Sequence, residues 1–185
     1  MRQNIYLGLV HYPVYNKFYE TVTTSITNLD IHDISRSCLT YGIKKYFIIN
    51  PLSSQKDILM RIKKFWQSEI ARNYNPHRVE ALSILEYAKT IENAMEIISN
   101  QEKVSPLLIT TTAAKMEAQI KIKEFSKLKI NRPVFLLFGT GNGLTKELHK
   151  LADYILEPIW GTSEFNHLSV RSAVAIVLDR LFSEK

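Results

Sequence analysis

Six short apolar runs, Ile5 to His11, Tyr46 to Asn50, Ala81 to Tyr87, Leu107 to Thr111, Val134 to Phe138 and Tyr154 to Leu156, are separated by stretches long enough to hold a helix. Brief continuous apolar runs read as strands buried on both faces, and strands alternating with helices build a mostly parallel sheet covered by helices. The expected class is therefore α/β. The intervening segments carry helix punctuation. Asn28 or Asp30 can cap a helix over Leu29 to Tyr41, with Gly42 in the left-handed position that ends it. Ser53 or Ser54 opens a second helix toward Arg72, and Thr90 caps a third with apolar spacing Ile91, Ala94, Met95, Ile98. The last helix, Ser169 to Phe182, is apolar around most of its circumference and must be buried deeply or against a partner subunit.

The polar, aromatic segment Tyr12 to Thr27 is too long for a simple connection and reads as a functional loop. Its Tyr12, Tyr15, Phe18 and Tyr19 suit closure over a planar ligand ring or packing against a partner. At 185 residues, without repeats or linkers, residues 1–185 are expected to form one domain. No run approaches the ~20 apolar residues of a membrane span, and no secretory signal opens the chain, so a cytoplasmic location is expected. Cys38, the single cysteine, offers neither a disulfide nor a zinc cluster and reads as a small buried helix residue; no metal set accompanies His11 or His32, which read as structural or solvent-facing.

Charge is informative by position. Residues 44–78 hold eight Lys and Arg against Asp57 and Glu69, a local +6 equal to the whole chain's net charge. Residues 115–132 come to +4 and residues 79–105 to −3. That asymmetry suits a polyanion such as RNA, whose phosphates attract Lys and Arg regardless of sequence; a solvated helix face is the alternative. Arg61, Lys63, Lys64 and Arg171 are the candidate RNA contacts. Phe65 and Trp66 beside the lysines could stack a base, but on an amphipathic helix they read first as core.

The segment Phe135-Leu136-Leu137-Phe138-Gly139-Thr140-Gly141-Asn142-Gly143-Leu144 runs an apolar strand into three alternate glycines. Glycine permits positive φ and close backbone approach, so such a turn can cradle a ligand or simply turn the chain. It is neither of the two familiar phosphate loops. A dinucleotide fingerprint needs glycine where Leu144 stands, and a P-loop needs Gly-Lys-Ser or Gly-Lys-Thr where Gly143-Leu144-Thr145 stands.

Two further segments give the loop a context. Leu156-Glu157-Pro158-Ile159-Trp160-Gly161, followed by Asn166-His167-Leu168-Ser169-Val170-Arg171-Ser172 and an apolar helix, resembles the third motif of the SPOUT methyltransferases. The glycine loop looks like their second motif, and Asp30-Ile31-His32-Asp33-Ile34-Ser35-Arg36 with Gly42 resembles their first. Order and spacing match over the whole chain. The opening Leu9-Val10-His11-Tyr12-Pro13-Val14 is similar to a stand-alone bacterial family of RNA methyltransferases allied to the tRNA guanine-N1 methyltransferase branch. The resemblance implies a C-terminal deep trefoil knot, a homodimer, and methylation of RNA, tRNA or rRNA, from S-adenosylmethionine. By the same analogy Thr111, Thr112, Phe138, Gly139, Gly141, Gly143, Leu156, Ile159, Gly161 and Leu168 contact the cofactor.

Methyl transfer needs in-line placement of the acceptor and a group that takes its proton. Where the ribose-methylating branch begins its first motif with Asn, this chain has Asp30; where that branch reads Ser-Leu-Asn-Val-Ser, this chain has His167-Leu168-Ser169-Val170-Arg171. The departures favour a base nitrogen over a ribose hydroxyl, with Asp30 or His167 as proton acceptor and Ser169 beside them. Arg36 suits a phosphate or developing negative charge, since a guanidinium does not accept protons. Asp30 reads equally as a helix-start carboxylate. Two other functions stay open: an RNA-binding or assembly protein that keeps the fold without catalysis, and a nucleotide-binding α/β enzyme.

Overall fold

The strand β1 (Ile5–Val10) is buried along its whole length, because it lies mid-sheet with helices on both faces. The computed structural model describes residues 4–182. After β1 come a hairpin, β2 (Val14–Tyr15) and β3 (Thr21–Val22), then α1 (Asn28–Thr40) and β4 (Lys45–Ile49). Three helices follow, α2 (Ser53–Trp66), α3 (Glu69–Tyr74) and α4 (Pro76–Ser83), before β5 (Leu85–Ala88), α5 (Ile91–Glu102) and β6 (Leu107–Thr110). The remainder is β7 (Gln119–Ile120), α6 (Ile122–Phe125), β8 (Val134–Gly139), α7 (Lys146–Leu151), β9 (Tyr154–Leu156) and α8 (Val170–Phe182).

Seven strands form one sheet in the order β5-β4-β1-β8-β6-β9-β7, with every pairing parallel, as the alternating pattern predicts. The late strands do not extend the edges: β8 enters between β1 and β6, and β9 between β6 and β7. Alternate residues of β1 feed two cores. Leu7 and Leu9 face Ile31, Ile34, Val174 and Leu178 of α1 and α8; Tyr6 and Val10 face Ile91, Ala94 and Leu148 of α5 and α7. Cys38 is fully buried on α1. On α8, Val174, Val177, Leu178 and Leu181 are buried, while Ala173, Ala175 and Ile176 keep partial exposure.

Three expectations need correction. The N-cap of α1 is Thr27, not Asn28 or Asp30: its Oγ1 accepts from the Asp30 amide and donates to Asp30 Oδ2 at 2.7 Å. The helix expected to run to Arg72 breaks after Trp66, where Ser68 caps α3 through the Ala71 amide. The run Ala81 to Tyr87 is a strand only from Leu85, because Asn75 caps α4 and carries it to Ser83, burying Ala81 and Leu82 as helix residues. Gly42 does take positive φ, and Thr90 caps α5. Thr27→Ala removes the α1 cap and should cost about 1 kcal/mol in urea denaturation; an unchanged midpoint would show that the cap contributes nothing.

Candidate functional site

The C-terminal ends of β1, β8, β6 and β9 lie side by side, and in open parallel sheets this edge is where ligands bind. Here the three motif segments converge. Asp30, in the first turn of α1, is 6% exposed; Arg171, in the first turn of α8, reaches it with Nη1 at 2.9 Å from Oδ1 and holds Asp33 with Nε at 3.5 Å. Asp30 is well placed for the positive end of α1, whereas a cation opening α8 opposes that helix's dipole and is offset by the two carboxylates. Both Asp30 oxygens thus have a partner, Arg171 on Oδ1 and Thr27 on Oδ2. The guanidinium expected at RNA is engaged by protein.

Ser169 acts locally as the start of α8, its Oγ accepting from the Ser172 amide and its carbonyl from the Ala173 amide. His167 is exposed and lies edge-on to Phe165. Arg36 is exposed and sits roughly 240° around α1 from Asp30, so the structure does not bring it to the pair.

The glycine loop is seated on β2. Tyr15 donates its amide to the Gly143 carbonyl and accepts the Asn142 amide on its own carbonyl. A Cβ on Gly141, at φ +57, would lie 2.7 Å from the Tyr15 carbonyl oxygen, and one on Gly139 would lie 2.8 Å from the Leu144 nitrogen. These two glycines are required by the chain's own packing. Gly143 and Gly161 are different: nothing lies within 4 Å of where their Cβ would be. Gly141→Ala should therefore destabilise the fold by ~1–2 kcal/mol from left-handed strain alone, read as a lowered denaturation midpoint; a neutral effect would mean the hairpin yields.

Thr111 and Thr112 follow β6, the former holding Leu137 through amide and hydroxyl, and Asn166 ties the third-motif segment to the Ala113 carbonyl. Phe138 and Leu156 are buried, Ile159 is half-buried, and Leu168 is exposed. A cleft of about 520 Å³ opens between the loop after β6 and the turn after β9, lined by Lys115, Met116, Gln119, Lys121, Glu157 and Trp160 among others. Its size suits a small molecule. Sequence reasoning did not single out its lysines or Trp160, because they converge only when β9 inserts beside β7. A smaller cleft of about 290 Å³, by Leu107, Ile130 and Tyr154, lies at the other end of the strands.

On α2, Arg61 and Lys64 are exposed, but Lys63 donates to the Leu85 carbonyl at 2.6 Å and lies 3.8 Å from Glu86, stapling β5 instead. Trp66 is core and Phe65 is 51% exposed, so only one of the two follows the core reading. Tyr12, Phe18 and Tyr19 are exposed, while Tyr15 packs against Tyr19.

His11, which sequence reading set aside, ends β1 with no exposed surface. Its Nδ1 lies 3.0 Å from Thr24 Oγ1, which in turn contacts Thr140 Oγ1 of the glycine loop, and Thr140 Oγ1 donates to the Val10 carbonyl. Burial pushes its pKa down to about 4, with the Asp30 charge pulling partly back. Its Nε2 is buried without a hydrogen-bond partner.

A model of a SAM-dependent RNA methyltransferase family matches residues 4–183. An uncharacterized protein of Aquifex aeolicus is 39% identical over 185 residues, covering 99% of this chain and 90% of that one. A tRNA (guanine-N(1)-)-methyltransferase of Oleidesulfovibrio alaskensis is 37% identical over 182 residues, 98% of this chain but only 43% of that enzyme's length. Among solved structures, the TrmH/SpoU tRNA modifying enzyme of A. aeolicus superposes with a TM-score of 0.59 at 14% identity, covering 98% of this chain and 74% of that one.

Proposed function

The chain belongs to the SAM-dependent RNA methyltransferases, and on that premise we propose that it methylates a base of tRNA or rRNA, with the acceptor base presented at the Asp30–Arg171 pair. That pair carries the reading: two motif segments 141 residues apart meet in one ion pair at the carboxyl edge of the sheet, the edge at which β8 runs into the glycine loop. An anionic group there suits an acceptor that loses a proton on a nitrogen.

The residues on the other side of the edge fit S-adenosylmethionine. Thr111, Thr112, Gly143, Ile159 and Gly161 bring no charge, and the two glycines leave open space where side chains would stand. S-adenosylmethionine supplies an electrophilic methyl group on a sulfonium. The loops after β6, β8 and β9 hold and orient it, with Phe138 and Leu156 as their apolar floor. Arg61 and Lys64 on α2 meet phosphate, with Arg36 further along α1 as another cation for the backbone.

We read residues 1–185 as one methyltransferase domain of a cytoplasmic homodimer, its C-terminal part threaded as a deep trefoil knot. Insertion of β8 and β9 between earlier strands supports the threading, and the partly exposed apolar side of α8 supports pairing. Among the described residues no helix is long and apolar enough to cross a membrane.

Titration calorimetry tests the cofactor half. S-adenosylmethionine or S-adenosylhomocysteine should bind, and Gly161→Ala should weaken binding at least several-fold with an unchanged melting temperature. No binding at millimolar ligand refutes the reading. Mass spectrometry of nucleosides from cells lacking the protein tests the other half: one methylated base should be missing, and a missing ribose-methylated nucleoside would overturn the base assignment.

A further inference from the structure

We propose that His11 is a further catalytic residue, the acceptor that takes the proton from the ring nitrogen being methylated; this rests on the base-methylation reading above. The hydrogen-bond chain fixes the direction of every proton in it. Thr140 has one hydroxyl hydrogen, and it goes to the Val10 carbonyl, which can only accept. The contact between Thr140 and Thr24 is therefore donated by Thr24, which spends that hydrogen in turn. The contact between Thr24 and His11 must then be donated by Nδ1. His11 is held as the Nδ1–H tautomer, and its Nε2 carries a bare lone pair.

The ring is also rigidly framed. The His11 amide donates to the Ile49 carbonyl, its carbonyl accepts the Thr24 amide, and Asn50 Nδ2 holds the Thr24 carbonyl at 3.0 Å. Among the described residues three buried side-chain polar atoms lack a hydrogen-bond partner, His11 Nε2, His32 Nδ1 and Ser35 Oγ, and of these only His11 belongs to the hydrogen-bond chain through Thr24 to the glycine loop; each Asp30 oxygen already has a partner. A buried acceptor with no donor costs stability unless a donor arrives, and the imino N–H of guanine or uracil is such a donor. His11 has no exposed surface, so the segment covering Nε2 must shift when the base enters.

In the reaction the ring nitrogen attacks the methyl carbon. The N–C bond forms as the S–C bond breaks with its electron pair staying on sulfur, and the nitrogen's proton passes to Nε2. The positive charge moves from sulfur to the imidazole ring, so the buried site gains no net charge. The negative charge of Asp30 favours the imidazolium. The proton leaves to water when product departs.

The test rests on two substitutions. In His11→Asn the side-chain amide sits where Nδ1 does and keeps the donor to Thr24 but has nothing at Nε2; in His11→Gln the polar end sits near Nε2. His11→Asn should melt within a few degrees of wild type and bind S-adenosylmethionine within threefold. Transfer of labelled methyl to bulk RNA from cells lacking the protein should fall at least about 100-fold in both variants, because the Gln amide reaches the Nε2 position but takes no proton; recovery in His11→Gln overturns the proposal. His11→Asn turning over within threefold of wild type overturns the proposal and leaves the transferase reading intact. Wild type that transfers no methyl overturns both. Should His11→Asn fail to fold, nitrogen-15 NMR of the wild-type imidazole decides: a protonated Nδ1 with bare Nε2 is expected at neutral pH, and a protonated Nε2 overturns the proposal.

Discussion

Asp30→Ala should lower turnover by about two to four orders of magnitude, the range for losing an acid–base or charge-stabilising group at a reacting centre, while S-adenosylmethionine affinity changes by no more than a few-fold. The substitution leaves Arg171 with Asp33 alone and takes the anion away from His11. Arg171 is about one-third exposed, so the unpaired cation stays hydrated and the fold should survive with a modest loss. Single-turnover methylation together with calorimetry separates the two readouts. Equal turnover removes Asp30 from the mechanism; a parallel collapse of cofactor binding shows that the pair shapes the pocket and not the chemistry.

The second large effect is a loss of stability in mild acid. His11 in the folded chain has its pKa lowered from 6.5 to about 4 by burial, while in the unfolded chain it stays near 6.5. Between those values the unfolded state binds the extra proton, so stability is complete above pH 6.5 and falls as pH drops toward 4. At about 1.4 kcal/mol per unit, His11 alone contributes roughly 3 kcal/mol over that window. His149, buried against Thr110, and His32, packed on Trp66, are shifted the same way chiefly by burial and add to the trend. Urea midpoints measured from pH 7 to 4.5 should fall, and His11→Asn should fall less. A flat wild-type profile would mean that the imidazole is solvated.

The parallel α/β sheet and the family were legible because they rest on long-range pattern: apolar runs at strand length, and three segments in a fixed order. The structure bears out strands at all six places, with the third shortened. What escaped was local or relational. The hairpin strands Val14–Tyr15 and Thr21–Val22, and β7 at Gln119–Ile120, are two residues each and too short for any periodicity. Ala81 and Leu82 read as strand because an apolar run has no period of its own to distinguish helix from strand. The same holds within the site. Asp30 is singled out by a motif, but its meeting with Arg171 is a property of the folded sheet. Lys63 counts as a surface cation until its amine is found on the Leu85 carbonyl. His11 has no motif spacing to its partners, which lie 13 residues away at Thr24 and, through it, at Thr140.

The position of β8 bears on how a ribosome must deliver this protein. Until residues 134–139 emerge, β1 has only β4 beside it, and β6 has no strand neighbour at all. The first 130 or so residues cannot be a finished unit that waits for a small addition. They form at most a three-stranded β5-β4-β1 sheet with an open apolar edge, so a nascent chain of that length should be a client for chaperones. Pairing between such distant segments is slow, and exposed edges invite aggregation while it is pending. A stop codon before Val134 should leave insoluble product, not a smaller working domain.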